Sequence, residues 1–247
     1  MKSFEKLFNI LSLFSMDRTS LSISEIQAEL GYPKSTVFRM LDTLERFDYI
    51  ERNPDNHRYS LGFNFFRLGS IVQNQLDFRK VALPIMKTLV EQTSETVELN
   101  IIDGLSRVCV EKVDSPLDVR NFVRIGEQKP LHLGASGKVL LAYLNEDQVK
   151  RMLCLLQSEN NSLQVSELAE KLKTIKVNGY CVTRGERVPG SFAVAAPIFG
   201  QNGELLASIT IAGPIQRLTV KREKELIEKL IESAKSISSH LGCFTYN

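Results

Sequence analysis

The sequence predicts an α+β protein in two parts joined by a helix. Three observations carry this. Residues 1–62 read as helices followed by a short hairpin. From residue 77 onward, hairpins with Asp103-Gly104 and Asn202-Gly203 at their turns are separated by helical stretches, which implies an antiparallel sheet with helices packed on it. Residues 63–76 read as a connecting helix. At 247 residues the chain is long enough for two hydrophobic cores.

Taken in order, Phe4, Leu7, Phe8, Leu11 and Phe14 recur at helical spacing and predict a first helix. Ser22 followed three residues later by Glu25 is a capping box. Ile23, Ile26 and Leu30 then share one stripe, and Gly31 stops the helix. Pro33 stands where the next helix would begin. Val37, Met40, Leu41 and Leu44 form the buried stripe of that helix. Tyr49 to Arg52, a turn at Asn53-Pro54-Asp55-Asn56, and Arg58 to Leu61 then read as a hairpin. Two helices on a tight turn with a hairpin behind them make a winged helix-turn-helix, a shape that suits the DNA major groove.

The exposed first turn of the second helix carries Lys34, Ser35 and Thr36, with Arg39 one turn on. Such residues reach base edges and phosphates. Asn56, His57 and Arg58 at the hairpin tip could contact backbone or minor groove, with Arg58 bracing on phosphate. The bland alternative is a good helix start with solvated charges. Charge does not decide the matter. The whole chain carries +2, and through Leu61 there are eight Lys/Arg against nine Asp/Glu. Any DNA-attracting field must come from distribution, with Glu25, Glu29, Asp42, Glu45 and Asp48 turned away from phosphate. A protein-docking winged helix stays open on these grounds.

In the second part, a helix is expected over Phe78–Gln92 with Pro84 in or near its first turns. Val97, Leu99 and Ile101 alternate, as do Val108 and Val110 across the turn. Val119, Asn121, Val123 and Ile125 suggest a further strand. Helices are expected from Ser136 to Leu144, after Asn145, and from Glu167 to Val177. Tyr180–Thr183, Phe192–Phe199 and Leu205–Ile211 read as strands, and Val220–Leu241 as a last helix. The apolar stripe over Phe63–Gln75 fits packing within the chain or against a partner subunit equally well.

The sharpest site candidate in this part is His132-Leu133-Gly134-Ala135-Ser136-Gly137-Lys138. Small residues lead into a helix start, where unpartnered amides and the helix dipole favour a carboxylate or phosphate. A simple turn with a cap is the bland alternative. The segment from Thr183 to Ala193 could close over a polar ligand, and Ser208 and Thr210 share one strand face. Enzyme motifs do not fit. A phosphate-binding loop would need Gly at position 132 and Ser or Thr at position 139. A nucleophile elbow would need Gly at position 138. His57, His132 and His240 lack a framework for catalysis, and His132 reads as a structural hydrogen-bonding residue. Cys109, Cys154, Cys181 and Cys243 are widely separated, with no metal-site spacing, so reduced thiols are expected and no metal or cofactor. No apolar run approaches a membrane span, and the N-terminus lacks an apolar signal core, so the expectation is a cytoplasmic protein.

Three segments together resemble the isocitrate lyase regulator (IclR) family of bacterial transcription factors. They are Pro33-Lys34-Ser35-Thr36 with Arg39, Leu41 and Leu44; His132 through Ala142; and Gly179-Tyr180 through Glu186, Gly190, Ala195-Ala196-Pro197-Ile198 to Gly213-Pro214 and Arg217. The likeness covers essentially the whole chain. It implies a DNA-binding winged helix over 1–62, a linker helix over 63–76 and an effector domain similar to a GAF fold over 77–247. It also implies a homodimer or homotetramer on palindromic double-stranded DNA, a repressor as the commoner behaviour, and a small organic-acid or sugar-acid effector. By motif, the effector cavity maps onto Gly134, Ala135, Ser136, Thr183, Ala193, Thr210 and Ala212. Thr183 and Ala193 are smaller than the acidic or sulfur-bearing side chains of some family members. The alternative function is a metabolite-processing enzyme with an accessory winged helix.

Overall fold

The computed structural model describes residues 2–159 and 164–244. The expected domain limits at residues 1 and 247 lie outside them. The chain divides into two compact units, 1–75 and 76–247.

In the first unit, α1 (Lys2–Leu11) precedes a short strand β1 (Ser20–Leu21) and the helices α2 (Ile23–Leu30) and α3 (Lys34–Arg46). The hairpin β2 (Ile50–Arg52) and β3 (Tyr59–Leu61) follows, then α4 (Phe63–Gln75). The antiparallel order is β1-β3-β2, so β1, which no periodicity announced, completes the wing. The capping box forms: Ser22 N–H donates to Glu25 at 2.6 Å, and Glu25 N–H donates to Ser22 Oγ at 3.3 Å. Gly31 closes α2 at φ 66°, a left-handed conformation that glycine adopts without strain. Pro33 is the residue before α3, at φ −57°, instead of its first helical residue. Ile10, Leu21, Ile26, Val37, Leu41, Ile50 and Tyr59 form the core. Gly62 N–H donates to Tyr49 carbonyl at 2.8 Å, and a Cβ at Gly62 would overlap the Asp48 carbonyl. The turn after α3 is made by Asp48 itself at φ 58°.

The second unit is built on α5 (Asp77–Thr93), β4 (Thr96–Asp103), β5 (Ser106–Val113), β6 (Gln128–Pro130), α6 (Gly134–Ala142) and α7 (Glu146–Glu159). It continues with α8 (Val165–Asn178), β7 (Cys181–Arg184), β8 (Ser191–Phe199), β9 (Leu205–Pro214) and α9 (Val220–His240). The strands form one antiparallel sheet in the order β6-β5-β4-β9-β8-β7. On one face Val97, Leu99, Val194, Ile209 and Ile211 pack with Met86 and Leu89 of α5 and Leu226 and Leu230 of α9. On the other, α6, α7 and α8 make a second core with Cys181 and Ala195. Both faces are therefore covered, and successive residues from Thr96 to Asn100 are all buried.

Two sequence expectations change here. Residues 119–125 are not a strand. Their alternation is real at Asn121 and Val123, which are buried, but a period of two reports an extended, half-buried segment and not a ladder. This segment is held by side-chain bonds, including Thr96 Oγ1 to the Asn121 carbonyl at 3.1 Å. Pro84 lies well inside α5, not in its first turns.

Candidate nucleic-acid interface and ligand cavity

In the first unit, Lys34, Ser35 and Arg39 are exposed on α3 and Thr36 is half-buried. Among the described residues, no side chain caps this helix start. The buried side of α3 is Val37, Met40, Leu41 and Leu44, so the open side runs Ser35, Phe38, Arg39, Asp42. Phe38, 51% exposed, was not anticipated. Its signal was available as the i+3 partner of Ser35 on a helix whose apolar stripe lies elsewhere. Asp42 shares this open side, one turn beyond Phe38 and Arg39. At the wing tip His57 is exposed at φ 56°, and Asn53 Oδ1 accepts from the amides of Asp55 and Asn56.

Arg58 is bonded within the unit. Its Nε donates to Ser20 Oγ at 3.0 Å and its Nη2 to the Ser20 carbonyl at 2.9 Å and Glu25 Oε1 at 3.0 Å. It ties the wing to the start of α2. The Ser22 amide and hydroxyl, with Arg58, hold the Glu25 carboxyl down to about 2. Glu25 is thus used inside the unit, and Glu29 pairs with Arg18 at 2.5 Å.

In the second unit, Gly134, Ala135, Ser136, Thr183, Ala193, Thr210 and Ala212 all line one cavity, a narrow one of about 20 Å³. Four segments converge there: the start of α6, β7, β8 and β9. Register puts Thr183 opposite Ala193, and Ala193 opposite Ala212. Gly134 enters α6 at φ 76°. Gly137 lets the helix lie against Leu131, whose carbonyl would collide with any Cβ there. The helix start already meets an acid: Gly134 N–H donates to Glu186 Oε2 at 3.2 Å, and Lys138 pairs with the same oxygen.

The cavity also holds charges that the motif reading missed. Glu98 and Arg107 are 1% and 3% exposed, and Arg187 joins them from the 185–190 loop. Glu98 accepts from Asn121 Nδ2 at 2.8 Å, and Arg187 Nη2 donates to Asn121 Oδ1 at 3.0 Å. Arg107 donates to Asn100 Oδ1. The available signal was a pair of charged residues inside strands that are covered on both faces.

The remaining chemistry is quiet. Burial, then the nearby Lys138, keeps the His132 imidazole below its ordinary value. Its Nδ1 has no hydrogen-bond partner among the described residues, so the expected structural hydrogen bond is not made through that atom. Burial pushes the Cys109 thiol up to about 12 and the Cys181 thiol up to about 11, so neither is a thiolate at neutral pH. Among the described residues no cluster has metal-ligand geometry, and no helix is long and apolar enough to cross a membrane.

The comparisons match both units. Residues 71–239 match the C-terminal domain of the bacterial transcriptional regulator IclR, and residues 3–54 match the IclR helix-turn-helix domain. The chain belongs to the IclR family. The HTH-type transcriptional regulator KipR of Bacillus subtilis is 32% identical, covering 98% of this chain and 97% of its own. The HTH-type transcriptional regulator KdgR of Escherichia coli is 31% identical, over 98% of this chain and 93% of its own. The crystal structure of an IclR family transcriptional regulator from Brucella abortus is 26% identical with a TM-score of 0.82, over 98% of this chain and 92% of that one. This IclR-family protein is therefore a DNA-binding transcriptional regulator and not an enzyme; the matched domains are regulatory, not catalytic.

Proposed function

We propose that this regulator is a repressor that binds a palindromic operator as a dimer or a pair of dimers, and that a small carboxylate releases it. Lys34, Ser35, Thr36 and Arg39 contact the operator at the start of α3, with Phe38 against a thymine methyl. His57 approaches the backbone from the wing. Arg58 acts by holding the wing in place, because its guanidinium is committed to Ser20 and Glu25. The exposed Phe63, Phe66, Ile71 and Val72 of α4 are covered by a second copy.

The effector's carboxylate takes the amides of Gly134, Ala135 and Ser136, with Thr183, Ala193, Thr210 and Ala212 shaping its site. Glu186 gives up its place on the Gly134 amide as the acid enters. The observation that carries this reading is the convergence of all seven motif residues on one cavity in a chain whose other unit is an IclR helix-turn-helix. To act as a switch, the acid must bind one arrangement of the dimer better than the other.

The test is fluorescence anisotropy on the protein's own promoter fragment and on random duplex, across a salt series and with small acids added. The expected result is preference for the promoter, a steep loss of affinity with salt, and release by an acid. Equal affinity for both duplexes would reject the operator reading. Undiminished acid binding by Ser136→Trp would reject the effector location.

A further inference from the structure

The inner end of the cavity carries more positive charge than it balances. At the helix start, one cation, Lys138, meets one carboxylate, Glu186. Two guanidiniums also face Glu98: Arg107 Nη1 lies 3.8 Å and Arg187 Nη2 3.7 Å from its oxygens, while Glu127, which also acts on both, is paired with Lys129 at 2.8 Å. The separations from Glu98 are longer than charge-assisted hydrogen bonds, and Glu98 is instead bonded to Asn121. Arg107 Nε has no hydrogen-bond partner among the described residues, although Arg107 is 3% exposed and lines the cavity. Thr210 Oγ1, on the strand position paired with Glu98, is likewise buried without a partner and lines the same space.

A buried donor left unmet and a buried excess of positive charge are both costly, and one anionic oxygen group relieves both. A neutral hydroxyl would satisfy the donor and leave the charge. Burial keeps the Arg107 guanidinium below its ordinary basicity; Glu98 opposes that, Arg187 adds to it, and Glu127 opposes it further. A further negative charge would favour the protonated form.

Resting on the acid-binding reading above, we propose that the effector is doubly anionic, and that Arg107 and Arg187 hold its second acid group, a carboxylate or a phosphate, at the inner end of the cavity. The first group lies at the start of α6, so the two acids sit at opposite ends of a short molecule. As it stands the cavity has space for little more than a water, about 20 Å³, so a chain of a few carbons enters only as Glu186 moves off the helix start. Arg107 and Arg187 then set specificity, while the small residues at Gly134–Ser136 admit any acid.

The test is calorimetric titration of the full-length protein near neutral pH with four probes. Glutarate is matched against pentanoate, and phosphoglycolate against glycolate. The expected result is that at least one doubly charged probe binds about tenfold or more tightly than its singly charged match. Which pair shows the preference distinguishes carboxylate from phosphate. Arg187→Gln, in the 185–190 loop, and Arg107→Met, on β5, are each expected to collapse that preference while pentanoate or glycolate binding changes little. Far-UV circular dichroism establishes that each variant is folded, and Arg187→Gln carries the test if Arg107→Met is not. Monoacids binding as tightly as their doubly charged matches, or a preference that survives Arg187→Gln, would overturn the inference and leave the acid-binding reading standing. Failure of all four probes to bind would overturn both.

Discussion

Single residues in the first unit have divided the work between holding and reading. Glu25 caps α2 and anchors Arg58, so its negative charge is spent inside the unit. This is how a segment with slightly more acids than bases can present a cationic helix start. Because the folded carboxyl titrates near 2, below the ordinary 4.5, its contribution to stability is complete above pH 4.5. It is lost as pH falls from there towards 2. Urea-unfolding midpoints followed across that range should therefore fall more steeply for the native chain than for Glu25→Gln. Equal slopes would mean that the ionised Glu25 carboxylate contributes nothing. Arg39 has no such inward side-chain partner among the described residues and stands exposed on α3. If it reads a base edge, Arg39→Ala should cost about 1–3 kcal/mol of operator affinity and relax preference at one position. Binding to a library of single-base operator variants checks this.

Elements differ in how far their own sequences specify them. The helices α2 and α8 were legible because each has local punctuation, a capping box and Gly179 in the left-handed region, and α9 through the spacing of Leu226, Leu230 and Ile237. The strand β6 and the segment 119–125 were not. The β6 strand is three residues long and exists because β5 offers an edge. Residues 119–125 alternate like a strand, yet Asn121 turns inward to meet Glu98 and Arg187. The helix α6 is the element on which the cavity depends, and its position is set by backbone contact between Gly137 and Leu131. A methyl there meets a carbonyl that cannot rotate away. Gly137→Ala should therefore lower stability by about 1–3 kcal/mol or more, and weaken acid binding by displacing the helix start. Thermal unfolding with and without ligand measures both. An unchanged Tm would show that α6 has slack.

At the scale of the whole molecule, two units with separate cores, 1–75 and 76–247, place a DNA-reading surface and a ligand cavity in different bodies. The proposed switch couples them through how subunits associate. The exposed apolar residues of α4 are the surface argued to bury in a dimer. Phe66→Asp should shift sedimentation towards the monomer and weaken operator binding, while the far-UV spectrum is unchanged. A dimer of unaltered stability would move the interface elsewhere. What the sequence determined on its own was the order of helices and hairpins, the winged helix, and the cavity residues carried by motif. Those depend on local periodicity, caps and turn chemistry, which short stretches of chain contain. Only the tertiary structure decided that Arg58 is a brace and that Glu98, Arg107 and Arg187 meet. Residues far apart in the chain become neighbours when β4 and β5 pair in the sheet and the 185–190 loop meets them, and the strength of a charge depends on that burial, which periodicity does not encode.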